Sequence, residues 1–232
     1  MTPKQKKLNE ILDKFKTKSV LKQQVYQNTR QVFAELKQVA IDFVADAKKE
    51  LKRNKISHIN VEFNDKGEFE AELKFAGDAL VFIMHTNVFQ FPREHSIMRN
   101  SYIKEDESRA YCGVIYVYNF LADSLKYKRE NDIGYLVARI FVNKELHFVV
   151  EGKRQMNFLN NTFVLEPIDY PILKKILDTA IMYSIDFDLL LQPYEMLKEI
   201  TLSQLIEYSS AMGLQTGKRL GFRFQADPGE ML

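Results

Sequence analysis

Cysteine occurs once in the 232 residues, at position 112. A single thiol excludes an intramolecular disulfide and any Cys-x-x-Cys metal clip. Glycine and proline are scarce, at nine and six, which argues against collagen-like or disordered character. No run of 18 apolar residues occurs, and no apolar segment of the signal-peptide kind follows the N-terminal lysines. These absences predict a cytoplasmic protein with no transmembrane segment. Catalytic signatures are missing too: there is no GxGxxG, HExxH, GxSxG or calcium-loop pattern. "GLQTGKR" at 213–219 imitates a phosphate loop, but its glycines stand one residue too close. Arg219 also replaces the magnesium-binding hydroxyl, and a helix rather than a strand precedes it. No residue pattern points to a particular family.

The composition itself is that of a globular protein, with 46% hydrophobic and 28% charged residues and a net charge of +2. Charge is unevenly spread. Residues 1–22 hold seven lysines against Glu10 and Asp13, a local +5, so the remainder carries −3. An arm of this kind suits a phosphate backbone or an anionic membrane, or is simply a solvated helix face.

Two helical stripes open the chain: Leu8, Ile11, Leu12 and Phe15, then Val32, Phe33, Leu36, Val39, Ala40, Phe43, Val44, Ala47 and Leu51. They predict a short helix, a break near Thr17–Ser19, and a long helix ending near Arg53. From Ile56 the period becomes two. Ile59, Val61 and Phe63 alternate with polar residues, as do Phe69, Ala71, Leu73 and Phe75. A three-residue loop Asp65–Gly67, with Gly67 left-handed, would set Phe63 against Phe69. A two-residue Gly77–Asp78 turn would then set Phe75 against Leu80. Further strands are predicted over 79–91, 111–120, 133–142, 145–151 and 157–165, with a three-residue turn at Asn143–Glu145. Helical periodicity returns after "EPIDYP", with Asp169 as N-cap and Pro171 in the first turn. A short helix is expected from Pro193, and another behind the capping box "TLSQ", ended by Gly213.

The expected architecture is α+β: a mostly antiparallel sheet of six to eight strands, preceded by a long N-terminal helical segment and followed by two or three C-terminal helices packed on the sheet. It reads as one domain over 1–232, with helices in 1–54, sheet in 55–166, helices in 167–213, and a short strand or loose tail in 214–232.

Several residues could carry chemistry. The predicted registers align Glu62, Glu70 and His85 in one row, a candidate acid–base or metal-binding set; the plainer reading is a solvated sheet face, and no metal or cofactor is assigned. "PREH" presents Arg93 and His95 in a loop, and Arg139 and His147 share one face of the 133–151 hairpin, with Glu151 a partner for Arg139. These four are candidate ligand contacts. Cys112 reads as a buried structural thiol. "DFD" at 186–188 has a metal-binding spacing, although helix capping explains it more simply. Lys4, Lys6, Lys7, Lys14 and Lys18, with Arg219 and Arg223 of "RLGFRF", are the candidate nucleic-acid contacts.

No activity can be assigned on these grounds. The favoured expectation is a non-catalytic module for a protein or small-molecule ligand, with homodimerisation through the N-terminal helix a further expectation. An enzyme built on Glu62, Glu70 and His85 is one alternative. A nucleic-acid-associated protein is the other.

Overall fold

A computed structural model of the chain describes residues 2–152, 163–187, 194–203 and 205–206. The predicted break near Thr17–Ser19 does not occur. Helix α1 (Pro3–Lys14) passes through one π-helical turn, Phe15–Ser19, into α2 (Val20–Arg53). With no glycine or proline to stop it, the helix absorbs the change of phase as a wider turn. Thr17 donates its hydroxyl to the Asp13 carbonyl, 2.8 Å away, the side-chain back-bonding that loosens a helical turn. At the other end Asn54 donates its side-chain amide to the Glu50 carbonyl, and Lys55 takes a positive φ of 57°.

Among the described residues seven strands follow: β1 (Val61–Asp65), β2 (Glu70–Phe75), β3 (Asp78–Met84), β4 (Phe89–Gln90), β5 (Tyr111–Leu121), β6 (Tyr135–Val142) and β7 (Phe148–Gly152). They form an antiparallel sheet in the order β1-β2-β3-β5-β6-β7, and β4 continues the line of β3 along β5. Short helices α3 (Ser101–Glu105) and α4 (Ala122–Lys126) lie in the connections to either side of β5. Helix α5 (Tyr170–Ile185) begins as its sequence demands, with Asp169 accepting the Ile172 N–H at 3.1 Å. The described C-terminal part adds α6 (Tyr194–Leu197). This is the expected α+β class.

One sheet face packs on the helices. Leu73, Leu80, Phe82, Ile115, Ile140 and Val142 meet Phe33, Leu36 and Val39 of α2 and Leu173, Ile176 and Leu177 of α5 in the main core. The opposite face is covered over β5–β7 by residues 91–110, whose Phe91, Ile97 and Ile103 close a second core on Cys112, Val114, Phe141 and Val149. The strands there are therefore apolar on both faces, for the same reason that doubly covered sheets are.

The hairpin registers differ from those predicted, each time by an even number of residues. In the first, Phe63 pairs with Leu73 and Asp65 with Ala71. The loop is longer because Asp65 accepts the Gly67 N–H at 3.0 Å while Lys37 of α2 grips Asp65 at 2.7 Å. Gly67 does adopt a positive φ, 113°. In the second, Phe75 pairs with Asp78, so Ala76 and Gly77 form the turn and Ala76 takes the positive φ, 49°. The Gly77 carbonyl accepts the Ala122 N–H at 2.8 Å, a tie to α4 that no local hairpin argument contains. In the third, the turn is Lys144–Leu146 with Leu146 at φ 61°, and Val142 pairs with Phe148. Even shifts leave every side chain on its predicted face, since the strand repeat is two.

Of the predicted strand 157–165, only 163–165 are described, with Val164 bridging Phe148. Residues 207–232, with "GLQTGKR", Gly213, Arg219 and Arg223, lie outside the described residues, as does Asp188 of "DFD".

Candidate ligand groove

The register shifts dismantle the predicted Glu62–Glu70–His85 row. Glu62 stands opposite Lys74 and accepts from the Asn60 amide at 2.7 Å. Glu70 is exposed and stands opposite Ile83. His85 lies in the irregular turn between β3 and β4, where its Nδ1 accepts the Asn87 N–H at 2.9 Å and its ring meets Phe89 edge-on at 4.7 Å. Among the described residues no group of three His, Cys, Asp or Glu side chains is placed to hold a metal ion. The buried carboxylate of this face is instead Glu72. Burial pushes its pKa up, but hydrogen bonds from Lys74 and Asn64 outweigh burial and hold it below the usual carboxylate range.

The outer face does form a site two strands further on. Along β5, Cys112, Val114 and Tyr116 alternate outward. Tyr116 is in register with Arg139 and Arg139 with Glu151, while Val114, Phe141 and Val149 make the neighbouring row. Phe91, just beyond β4, lies with its ring 4.9 Å from that of Phe141. Between them is a groove of about 270 Å³ with Cys112, Val114 and Phe141 in its lining and His95, Arg139 and Glu151 as its charged groups. A shallower depression of about 430 Å³, lined by Tyr135, Leu136 and Val137, shares Arg139 and Glu151.

His95 is positioned by its own backbone. Its Nδ1 accepts the Ile97 N–H at 3.3 Å, capping a 3₁₀ turn over Ser96–Arg99. A neutral ring in that role carries its proton on Nε2, the atom that lies 3.5 Å from Glu151 Oε1. Glu151 also forms an ion pair with Arg139 through its other oxygen. One carboxylate therefore lies between an imidazole and a guanidinium, with an apolar floor beside it. Arg139 donates to Glu151 through Nη2, and its side chain remains 41% exposed. Burial pushes the Cys112 thiol far up, and desolvation is the sole cause. A thiol with no base beside it is packing rather than a nucleophile.

Arg93 is exposed in the turn closed by the His95 N–H on the Pro92 carbonyl, outside the groove. His147 lies on the same face as Arg139 but beyond the Phe141–Val149 pair, in a separate polar cluster. There the Tyr102 hydroxyl donates to Glu145 at 2.8 Å, accepts from the Asn143 amide at 2.8 Å, and meets His147 Nδ1 at 2.8 Å. Arg109 donates to Glu145 at 3.0 Å. Asn143 is fully buried and its Oδ1 accepts the Glu145 and His147 N–H groups. Burial pushes the Tyr102 hydroxyl far up, so it stays a protonated donor. This cluster locks residues 101–109 onto the β6–β7 turn. Sequence reasoning missed it, and the only signal was an asparagine opening a tight turn. Lys4, Lys6, Lys7 and Lys14 are exposed along α1, and Lys18 lies over the Tyr111 ring at 5.8 Å.

No family model matches this chain, and comparison with curated proteins and with solved structures finds no match. The class is therefore set by architecture alone: an α+β protein with a helix-packed antiparallel sheet and a groove on the sheet's other face.

Proposed function

We propose that this chain is a non-catalytic, cytoplasmic module that binds a small amphiphilic ligand in the groove over β5 and β6. The observation that carries the reading is the pairing of an apolar floor, Cys112, Val114 and Phe141, with an Arg139–Glu151–His95 set at one side. Small-ligand sites combine a mostly apolar lining with a few placed polar groups, in volumes of roughly 300–1,000 Å³. The groove, at about 270 Å³, lies at the lower edge of that range and opens beside a second depression at Arg139 and Glu151. A compact aromatic or branched body fits the floor, and an anionic head fits the exposed part of the Arg139 guanidinium. Glu151 holds the guanidinium in place, and His95 supplies one more donor through Nε2.

The reading is tested with 8-anilinonaphthalene-1-sulfonate, an apolar ring system bearing one anion. Saturable fluorescence enhancement is expected at one site per chain. Arg139→Gln should weaken it roughly tenfold, the effect of one charge-assisted hydrogen bond. Lys48→Gln, remote from the groove, should leave it unchanged. Enhancement that does not saturate, or that Arg139→Gln leaves intact, would exclude the groove as the site.

A further inference from the structure

We propose that residues 3–20 form a docking helix for an anionic bilayer surface, a role separate from the groove. Leu8, Ile11, Leu12, Phe15 and Val20 are each between 41% and 58% exposed, and no residue of α1 or the π-turn is buried. In a helix of 3.6 residues per turn, Leu8, Ile11, Leu12 and Phe15 fall within a sector of about 100°. The π-turn extends this stripe. The Val20 N–H bonds to the Phe15 carbonyl, and a wider turn brings the fifth residue on nearly into line, where an α-helical turn would carry it well round the axis. The stripe then runs roughly 18 Å from Leu8 to Val20 at 1.5 Å per residue.

Charge is arranged about the stripe as a membrane requires. Lys7 and Lys14 lie along one margin, about 100° from its centre, and Lys4, one turn before Leu8, stands at the N-terminal end of the stripe itself. Glu10 and Asp13 fall on the opposite side, about 150° from the centre, together with Lys6. Lysines beside an apolar face reach lipid phosphates while their stems lie on hydrocarbon, and the acids remain in water. The two competing partners fit less well. A second copy would bring one lysine-rich helix, from a segment with a local +5, against another. A nucleic-acid backbone would satisfy the lysines but leave Leu12 and Phe15 in water.

The test is sedimentation of the full chain with phosphatidylcholine vesicles, with and without about one-third phosphatidylserine. Binding to the anionic vesicles is expected to be at least roughly tenfold tighter and to weaken in high salt. The pair Leu12→Glu and Phe15→Glu should abolish it, and Lys7→Glu with Lys14→Glu should remove the preference for phosphatidylserine. All four positions are exposed, so the thermal midpoint should not move and a folding defect would be visible. Equal binding to both vesicle types, or no loss in the Leu12/Phe15 variant, would overturn the proposal. So would a concentration-dependent dimer, or duplex DNA binding, that this variant loses in the absence of any vesicle binding.

Discussion

Gly113 lies directly beneath Thr29. A Cβ added at position 113 would stand 2.1 Å from Thr29 Oγ1 and 2.8 Å from Thr29 Cβ. This contact is where α2 approaches β5, and Thr29 is fully buried with its hydroxyl turned back to the Val25 carbonyl at 2.8 Å. The helix can cross the sheet this closely only because strand position 113 has no side chain.

Gly113→Ala should therefore destabilise the protein by about 3 kcal/mol, at the upper end for overpacking a filled core. Thr29→Ala removes the hydroxyl and methyl that clash, so the double variant should recover part of the loss. Urea unfolding of the four proteins in a double-mutant cycle checks this. Additive losses at the two positions would show that the contact does not set the helix–sheet distance.

Tyr102→Phe should cost about 2 kcal/mol although only one oxygen is removed. The fully buried Asn143 amide loses its 2.8 Å acceptor and keeps only a 3.4 Å contact to the Arg109 carbonyl, and a buried N–H left without its partner costs more than the bond it once made. The loss should be local. Hydrogen exchange is expected to rise over residues 101–109 and 143–147 and to stay unchanged in α2. Uniform acceleration across the chain would mean that the cluster supports the whole fold rather than the outer-face segment.

The carboxyl of Asp106 is held well down, to about 2, by hydrogen bonds from Lys144 and from Ser108. A depressed carboxylate contributes stability that is full above its unfolded value, about 4, and is lost as pH falls toward 2. Stability should thus fall between pH 4 and about 2, and Asp106→Asn should flatten part of that slope. Asp65, Glu72 and Glu145 are lowered in the same direction and share in the remainder. Thermal midpoints across this pH range supply the measurement. An identical slope in Asp106→Asn would show that the Lys144 contact carries no pH-dependent stability.

The candidate site was legible only in pieces. Arg139 and Glu151 could be placed together because they belong to one hairpin, where the period of two puts both on one face. His95 reaches the same carboxylate from a loop more than fifty residues earlier, and nothing in "PREH" states that the loop returns across β5 and β6. The Glu62–Glu70–His85 row failed for a related reason. Each face assignment was correct, but Asp65 capping Gly67, and Ala76 rather than Gly77 taking the positive φ, moved the partners along the strands. Turn chemistry involving Lys37 and Ala122, both remote in sequence, decided those registers.

What the amino-acid order by itself determined is local and periodic. It includes the long amphipathic helix with its lysine-rich start, the inward and outward faces of each strand, the Asp169 cap and the α+β class. These depend on repeats of 3.6 and 2 and on residues within a turn of one another. Only the tertiary structure decided the registers, the covering of the outer face by residues 91–110 and the meeting of His95, Arg139 and Glu151. A register shift of two costs nothing in face burial, so it is chosen by distant contacts such as Lys37 on Asp65 and the Ala122 N–H on Gly77.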